Sequence, residues 1–215
     1  MDIGANNGIS SAYFHNLRPQ WKIIAFEPNI LHQKFLARLK KNFRNFDYHL
    51  IGLSNRNETV IFYTPTYCGV SLHSETSSSM KPMTHFRSHY FGFVVNRIKF
   101  QEKEVPVKTL DEMSLQPDVI KIDSEGNDLK ILKGAKETIK RCRPFILFEN
   151  QEDEYLNFVN FFNELNMKIF LYDYERNILI QSKQSSTIDK NNQRNLIVIP
   201  EENLKDINLE ISVVN

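Results

Sequence analysis

Asp118-Val119-Ile120-Lys121-Ile122-Asp123-Ser124-Glu125-Gly126 is the stretch on which the fold class turns. A strand-like run ends in an acid, a short polar turn containing glycine comes next, and then Leu129, Leu132, Ala135 and Ile139 recur three or four residues apart, as the buried stripe of a helix does. The same order recurs on both sides of it. Upstream, Ile23 to Phe26 is an apolar run stopped by Glu27-Pro28, and Asn29 is placed to cap a helix whose stripe reads Ile30, Leu31, Phe35, Leu39, Phe43 and Phe46. Downstream, Pro144 to Phe148 is a strand ending at Glu149, and Leu156, Val159, Phe162 and Leu165 mark a helix over Tyr155 to Leu165. Short strands alternating with amphipathic helices predict an α/β domain on a mostly parallel sheet.

The flanking stretches extend this pattern. Tyr48 to Leu53 and Glu58 to Tyr63 read as strands on either side of the turn Ser54-Asn55-Arg56-Asn57. Met167 to Tyr172, Ile178 to Ile180 and Leu196 to Ile199 supply closing strands. Between Thr64 and Phe100 the rhythm breaks, and a segment rich in serine, aromatic residues and the histidines His73, His85 and His89 is expected to form an insertion, either one that covers a substrate or a structural excursion with a short helix. At 215 residues one domain spanning 1–215 is expected, with that insertion at about 64–100.

Charge and cysteine content exclude several classes. With 27 basic and 26 acidic side chains the net charge is +1, so no overall field draws the chain to nucleic acid. Two cysteines, Cys68 and Cys142, are too few for a disulfide framework or a thiolate zinc site. No apolar run reaches the roughly 18 residues of a membrane span, and no signal-peptide core opens the chain, so a cytoplasmic protein is expected.

In an open α/β sheet, ligands bind beyond the carboxyl ends of the strands. The ends that matter here are Asp2-Ile3-Gly4-Ala5-Asn6-Asn7-Gly8, Phe26-Glu27-Pro28, Ile122-Asp123-Ser124-Glu125-Gly126 and Phe148-Glu149. Gly4 and Gly8 allow a tight turn and close backbone approach before a helix over Ile9 to Leu17. The Gly-x-Gly-x-x-Gly spacing of dinucleotide enzymes is missing, which counts against a nicotinamide cofactor. Glu27 lies 19 residues after Gly8, where an acid accepts hydrogen bonds from ribose hydroxyls. Nucleoside binding without a pyrophosphate cradle fits S-adenosylmethionine.

Together these pieces resemble the FkbM-type methyltransferases, class I enzymes dependent on S-adenosyl-L-methionine. The resemblance rests on Asp2 to Gly8, Phe26-Glu27-Pro28, Val107-Lys108-Thr109-Leu110-Asp111, Ile120 to Gly126 with Leu132 and Gly134, Pro144 to Glu149, and Asn195 to Pro200, in the family's order and across nearly the whole chain. It implies a Rossmann-like seven-stranded sheet with helices on both faces. It also implies a cofactor held by Asp2, Gly4, Ala5, Asn6, Gly8, Glu27 and Pro28, and methyl transfer to a hydroxyl of a sugar, glycan or small metabolite. The family's hydrophobic first strand precedes the aspartate of the glycine motif. Here only Met1 stands before Asp2, so a truncated first strand is expected, and with it an alternative in which the chain is a non-catalytic binding partner.

A hydroxyl acceptor needs a base. Asp123 and Glu125 come first, with Glu149 and the insertion histidines His73, His85 and His89 behind them. No metal is assigned, although oxygen ligands from Asp123 and Glu149 would suit magnesium.

Overall fold

The structure is a computed structural model that describes residues 1–68, 70–71, 98–124, 126–149, 154–173, 175–182 and 195–214. Glu125 and the histidines His73, His85 and His89 lie outside the described residues, as does most of the expected insertion. In chain order the elements are β1 (Asp2–Ile3), α1 (Ile9–Leu17), β2 (Ile23–Phe26), α2 (Gln33–Asn42), β3 (Phe46–His49), β4 (Gly52–Leu53), β5 (Glu58–Tyr67), β6 (Val70–Ser71), β7 (Ile98–Lys108), β8 (Val119–Ile122), α3 (Asp128–Lys133), α4 (Lys136–Cys142), β9 (Phe145–Glu149), α5 (Tyr155–Asn163), β10 (Met167–Asp173), β11 (Ile178–Ser182), β12 (Asn195–Pro200) and β13 (Glu210–Val214). They fall into two compact units, Met1–Met113 with Asp123–Ala135, and Ser114–Ile122 with Lys136–Asn215.

The first unit begins with two β-α-β steps. β1, β2 and β3 pair in parallel, with Asp2 opposite Ala25 and Ile23 opposite Phe46. Apolar burial drives this: Ala5, Ile23, Ala25, Leu36 and Phe46 form a closed cluster, sealed by Phe14 of α1 and by Leu39 and Phe43 at the end of α2. A leucine buried as fully as Leu36 contributes roughly 1.5–3 kcal/mol. The stripe expected for α2 holds in its second half, Leu39, Phe43 and Phe46, and fails in its first. Ile30, Leu31 and Phe35 are exposed, while His32 and Leu36 are buried. The cause is local: Asn29 caps a 3-10 turn over Ile30–His32 by accepting from the Leu31 N–H, and α2 starts only at Gln33. Three residues per turn instead of 3.6 takes the start of the segment off the helical stripe.

A second sheet in the same unit runs in the order β4-β7-β5-β6. The strands read on either side of the Ser54 to Asn57 turn therefore do not pair with each other. β7 lies between them, parallel to β4 and antiparallel to β5, in a ladder from Glu58 opposite Val107 to Tyr67 opposite Ile98. Asn57 clasps the turn to the segment just after β7: its Oδ1 accepts from the Thr109 N–H (3.1 Å) and its Nδ2 donates to Glu112 (2.9 Å). The expected insertion thus begins and ends as strand, since Thr64 to Tyr67 continue β5 and Ile98 to Phe100 open β7.

The second unit is a sheet in the order β13-β11-β10-β12-β9-β8. β8 and β9 are parallel, as the alternating pattern predicts, whereas β12 runs antiparallel to both of its neighbours. Phe148 of β9 meets Phe158 and Phe162 of α5 at 4.7 and 5.8 Å between ring centroids. Of the expected stripe Phe162 and Leu165 are buried and Leu156 is exposed, while Tyr155, Phe158 and Phe161 join the buried face. Arg143 forks onto the Glu202 carboxylate at 2.7 and 2.6 Å and also donates to the carbonyls of Leu165 and Asn166, tying the α4–β9 turn to the end of α5. Among the described residues no helix is long and apolar enough to cross a membrane.

Candidate functional site

A cavity of about 380 Å³ opens in the first unit, within the range of small-molecule sites. Its lining comes from the ends of β1 and β2, the Asp123 to Ile131 segment, the stretch Ile51 to Ser54, and β5.

The loop after β1 is held by backbone and carboxylate together. The N–H groups of Gly4 and Ala5 both donate to the Phe26 carbonyl (2.9 and 3.1 Å), and the Asn6 N–H donates to Glu27 Oε2 (2.8 Å). The second oxygen of Glu27 accepts from the Asn29 N–H at 2.7 Å. Two backbone bonds therefore aim this buried carboxylate while it lines the cavity. Gly4 has φ +74°, and a Cβ there would be driven into the Asp123 carbonyl. The Asp123 N–H in turn donates to the Ile3 carbonyl (3.0 Å), so the two loops touch through bare backbone.

The acids near these strand ends separate into two kinds, and Asp128 joins those quoted from the sequence. Asp2 is fully buried, and its Oδ2 accepts from the hydroxyls of Ser10 (2.7 Å) and Ser11 (2.5 Å), pinning the first turn of α1. Asp128 is likewise buried, accepting from both the N–H and the hydroxyl of Ser124. Glu27 and Asp123 instead line the cavity, Asp123 with an exposed side chain. Glu149 closes β9 in the second unit, opposite Asn195 in register.

Of the other expected cofactor residues, Gly4, Asn6 and Pro28 line the cavity. Ala5 sits in the apolar cluster beneath it, and Gly8 packs on α2, where a Cβ would collide with Leu39 and press Leu36 at 3.2 Å. Several lining residues escaped the sequence reading: His32, Ser54, Glu58, Phe62, Asn127 and Lys130. Asn127 directly follows the Ser124-Glu125-Gly126 motif and donates to the Ser124 carbonyl, a placement its proximity to the motif could have signalled. A lone histidine after a cap carries no such signal.

Glu27, Glu58, Asp123 and Lys130 line the cavity, and even with Arg56 paired to Glu58 the described charges leave a small negative excess, which favours a cationic or neutral ligand over an anion. Among the described residues no three His, Cys, Asp or Glu side chains gather as metal ligands would.

Comparison with known proteins shows the chain's family and fold. A model of the methyltransferase FkbM domain matches residues 2–176. The 2-O-methyltransferase NoeI of Sinorhizobium fredii (strain NBRC 101917 / NGR234) is 26% identical over 159 residues, which cover 72% of this chain and 63% of that protein. The crystal structure of methyltransferase FkbM from Methylobacillus flagellatus KT superposes with a TM-score of 0.56 at 16% identity, covering 92% of this chain and 42% of that one. The chain thus spans less than two thirds of either relative's length, and the structural likeness speaks to the fold.

Proposed function

The chain belongs to the methyltransferase FkbM family, and from that premise we propose that it transfers a methyl group from S-adenosyl-L-methionine to a hydroxyl oxygen of a sugar, glycan or other small acceptor. The observation that carries the reading is Glu27: a buried carboxylate at the end of β2, aimed into the cavity by two backbone N–H groups, beside a glycine loop too tight for any side chain. That donor and acceptor set suits a nucleoside. Glu27 would accept from ribose hydroxyls, the Gly4 to Asn6 backbone would admit the nucleoside closely, and the acidic lining would favour a sulfonium charge. The group supplies, when bound, an electrophilic methyl on a positively charged sulfur.

The remaining work falls to this chain's residues. Transfer makes a C–O bond and breaks a C–S bond, and the acceptor's hydroxyl proton must leave. Asp123 lies on the cavity wall with its backbone anchored to Ile3, so we assign it the task of receiving or orienting that proton. Glu125 and Glu149 stay as secondary candidates for the same role.

Calorimetry with S-adenosylhomocysteine tests the binding half. Glu27→Gln is expected to weaken affinity by about 1.5–3 kcal/mol, the scale of a hydrogen bond to a charged group. A chain that binds no S-adenosylhomocysteine would support the non-catalytic alternative. The catalytic half is tested by Asp123→Asn, expected to lower turnover by about a hundredfold to ten-thousandfold with cofactor affinity and melting temperature kept. Full activity in that variant moves the assignment to Glu125 or Glu149.

A further inference from the structure

We propose that the Glu58–Val60–Phe62 face of β5 is the acceptor wall of the cavity and receives a neutral, polyhydroxylated ring. The inference rests on the methyltransferase reading but concerns residues that reading does not use. Alternation along a strand places these three side chains on one side of β5. All three line the cavity and are half-buried; Ile61 and Tyr63 also border it, but Ile61, like Thr59, is exposed to solvent.

The wall is preformed. β5 is locked to β7 along the whole ladder from Glu58 to Tyr67, and Val107, the partner of Glu58, lines the cavity as well. Glu58 is held by Arg56, whose Nε and Nη2 lie 2.8 and 2.7 Å from its Oε2. The Arg56 fork fixes the direction of this carboxylate, whose oxygens accept from donors such as hydroxyls. Val60 and Phe62 add an apolar surface directly beside it.

Carboxylate and apolar patch on one strand face match a ligand with C–H groups on its flat side and hydroxyls on its edge. An acidic acceptor would meet Glu58, Asp123 and Glu27 in one chamber and be repelled. The nucleoside groups, Gly4, Asn6 and Glu27, come from the strand-end loops, so β5 supplies a chemically different side of the same cavity.

The probes are methyl glycosides of neutral hexoses and of the matching uronic acids. Their binding to the full chain is measured by saturation-transfer NMR, with S-adenosylhomocysteine affinity measured separately by calorimetry. The neutral glycosides are expected to bind at least tenfold tighter than the uronates. Phe62→Ala should weaken them tenfold or more and Glu58→Gln about fivefold, both with S-adenosylhomocysteine affinity kept within twofold, and Phe62→Tyr should restore glycoside binding. Unchanged glycoside affinity in Phe62→Ala, or preference for the uronates, overturns the proposal. Loss of S-adenosylhomocysteine affinity in both variants overturns it too, because the face would then hold the nucleoside. Failure of the unaltered chain to bind S-adenosylhomocysteine while glycosides still bind at β5 would instead remove the methyltransferase reading and leave the wall standing.

Discussion

The strand-end loops and the β5–β7 ribbon border one cavity but are built on opposite principles. The loops are short and held by single contacts that permit no substitute: a glycine pressed on the Asp123 carbonyl, a carboxylate gripped by two N–H groups, and two buried aspartates each accepting from serine. The ribbon is long and held by a repeated backbone ladder in which side chains are largely free to vary. The contrast teaches where binding of an invariant ligand and choice of a variable one are best placed. A fixed nucleoside needs fixed backbone, whereas an acceptor wall can change its side chains without disturbing the ladder that carries them.

The sharpest way to break this contrast is Gly4→Ala. The left-handed backbone costs about 1–2 kcal/mol for a residue with a side chain, and overpacking against the Asp123 backbone adds about 1–3 kcal/mol. Chemical denaturation should show the sum together with lost cofactor binding. Gly126→Ala is the matched control, because Gly126 has φ +95° but nothing within 4 Å of the position a Cβ would take. It should show the conformational cost alone, and equal losses at the two positions would mean that the contact with Asp123 contributes nothing.

Next in size is Asp128→Ala, which leaves the Ser124 N–H and hydroxyl without their acceptor. A loss of about 1.5–3 kcal/mol is expected by urea denaturation, with Asp123 no longer held at the cavity and turnover reduced as well. A stability loss without any effect on turnover would separate loop integrity from catalysis.

The smallest expected effect lies outside both regions and sets a floor for them. The Arg143 guanidinium lowers the Glu202 carboxyl from its ordinary 4.5 to about 2. A carboxyl depressed on folding stabilises the protein above its unfolded value, and that contribution disappears as pH falls from about 4.5 towards 2. Glu202 is half-exposed, so solvent and salt hold the gain to about 1 kcal/mol or less. Glu202→Gln should therefore match the unaltered chain at pH 2 and fall slightly below it above pH 5, in thermal melts across that range.

The same contrast decides what could be read from the sequence. Asp2 to Gly8, Phe26 to Pro28 and Val119 to Asp123 were legible because glycines, acids and apolar runs at strand ends have few other uses. Their division of labour was not legible: Asp2 and Asp123 look alike in sequence, and only the serines at positions 10 and 11 draw Asp2 inward. β7 escaped because most of its residues from Lys99 to Glu104 are exposed, leaving no apolar alternation, and because Pro106 argues against a strand placed between two others. The start of the α2 stripe, Ile30 and Leu31, was misread because it lies in a 3-10 turn that Asn29 caps. Glu58 and Phe62 were read as strand residues, but which cavity a strand faces is a tertiary fact.

The clasp made by Asn57 has a bearing on the order of assembly. Its partners Thr109 and Glu112 stand 52 and 55 residues further along the chain, and β4 and β5 meet only through β7. The local β5–β6 hairpin is two residue pairs long and reaches neither β4 nor β7, so loop-closure entropy must be met before the long β5–β7 ladder forms. During synthesis the glycine loop and β2 can therefore come together while the far wall is still missing, and the chamber is completed only when the returning strand slots between its two neighbours.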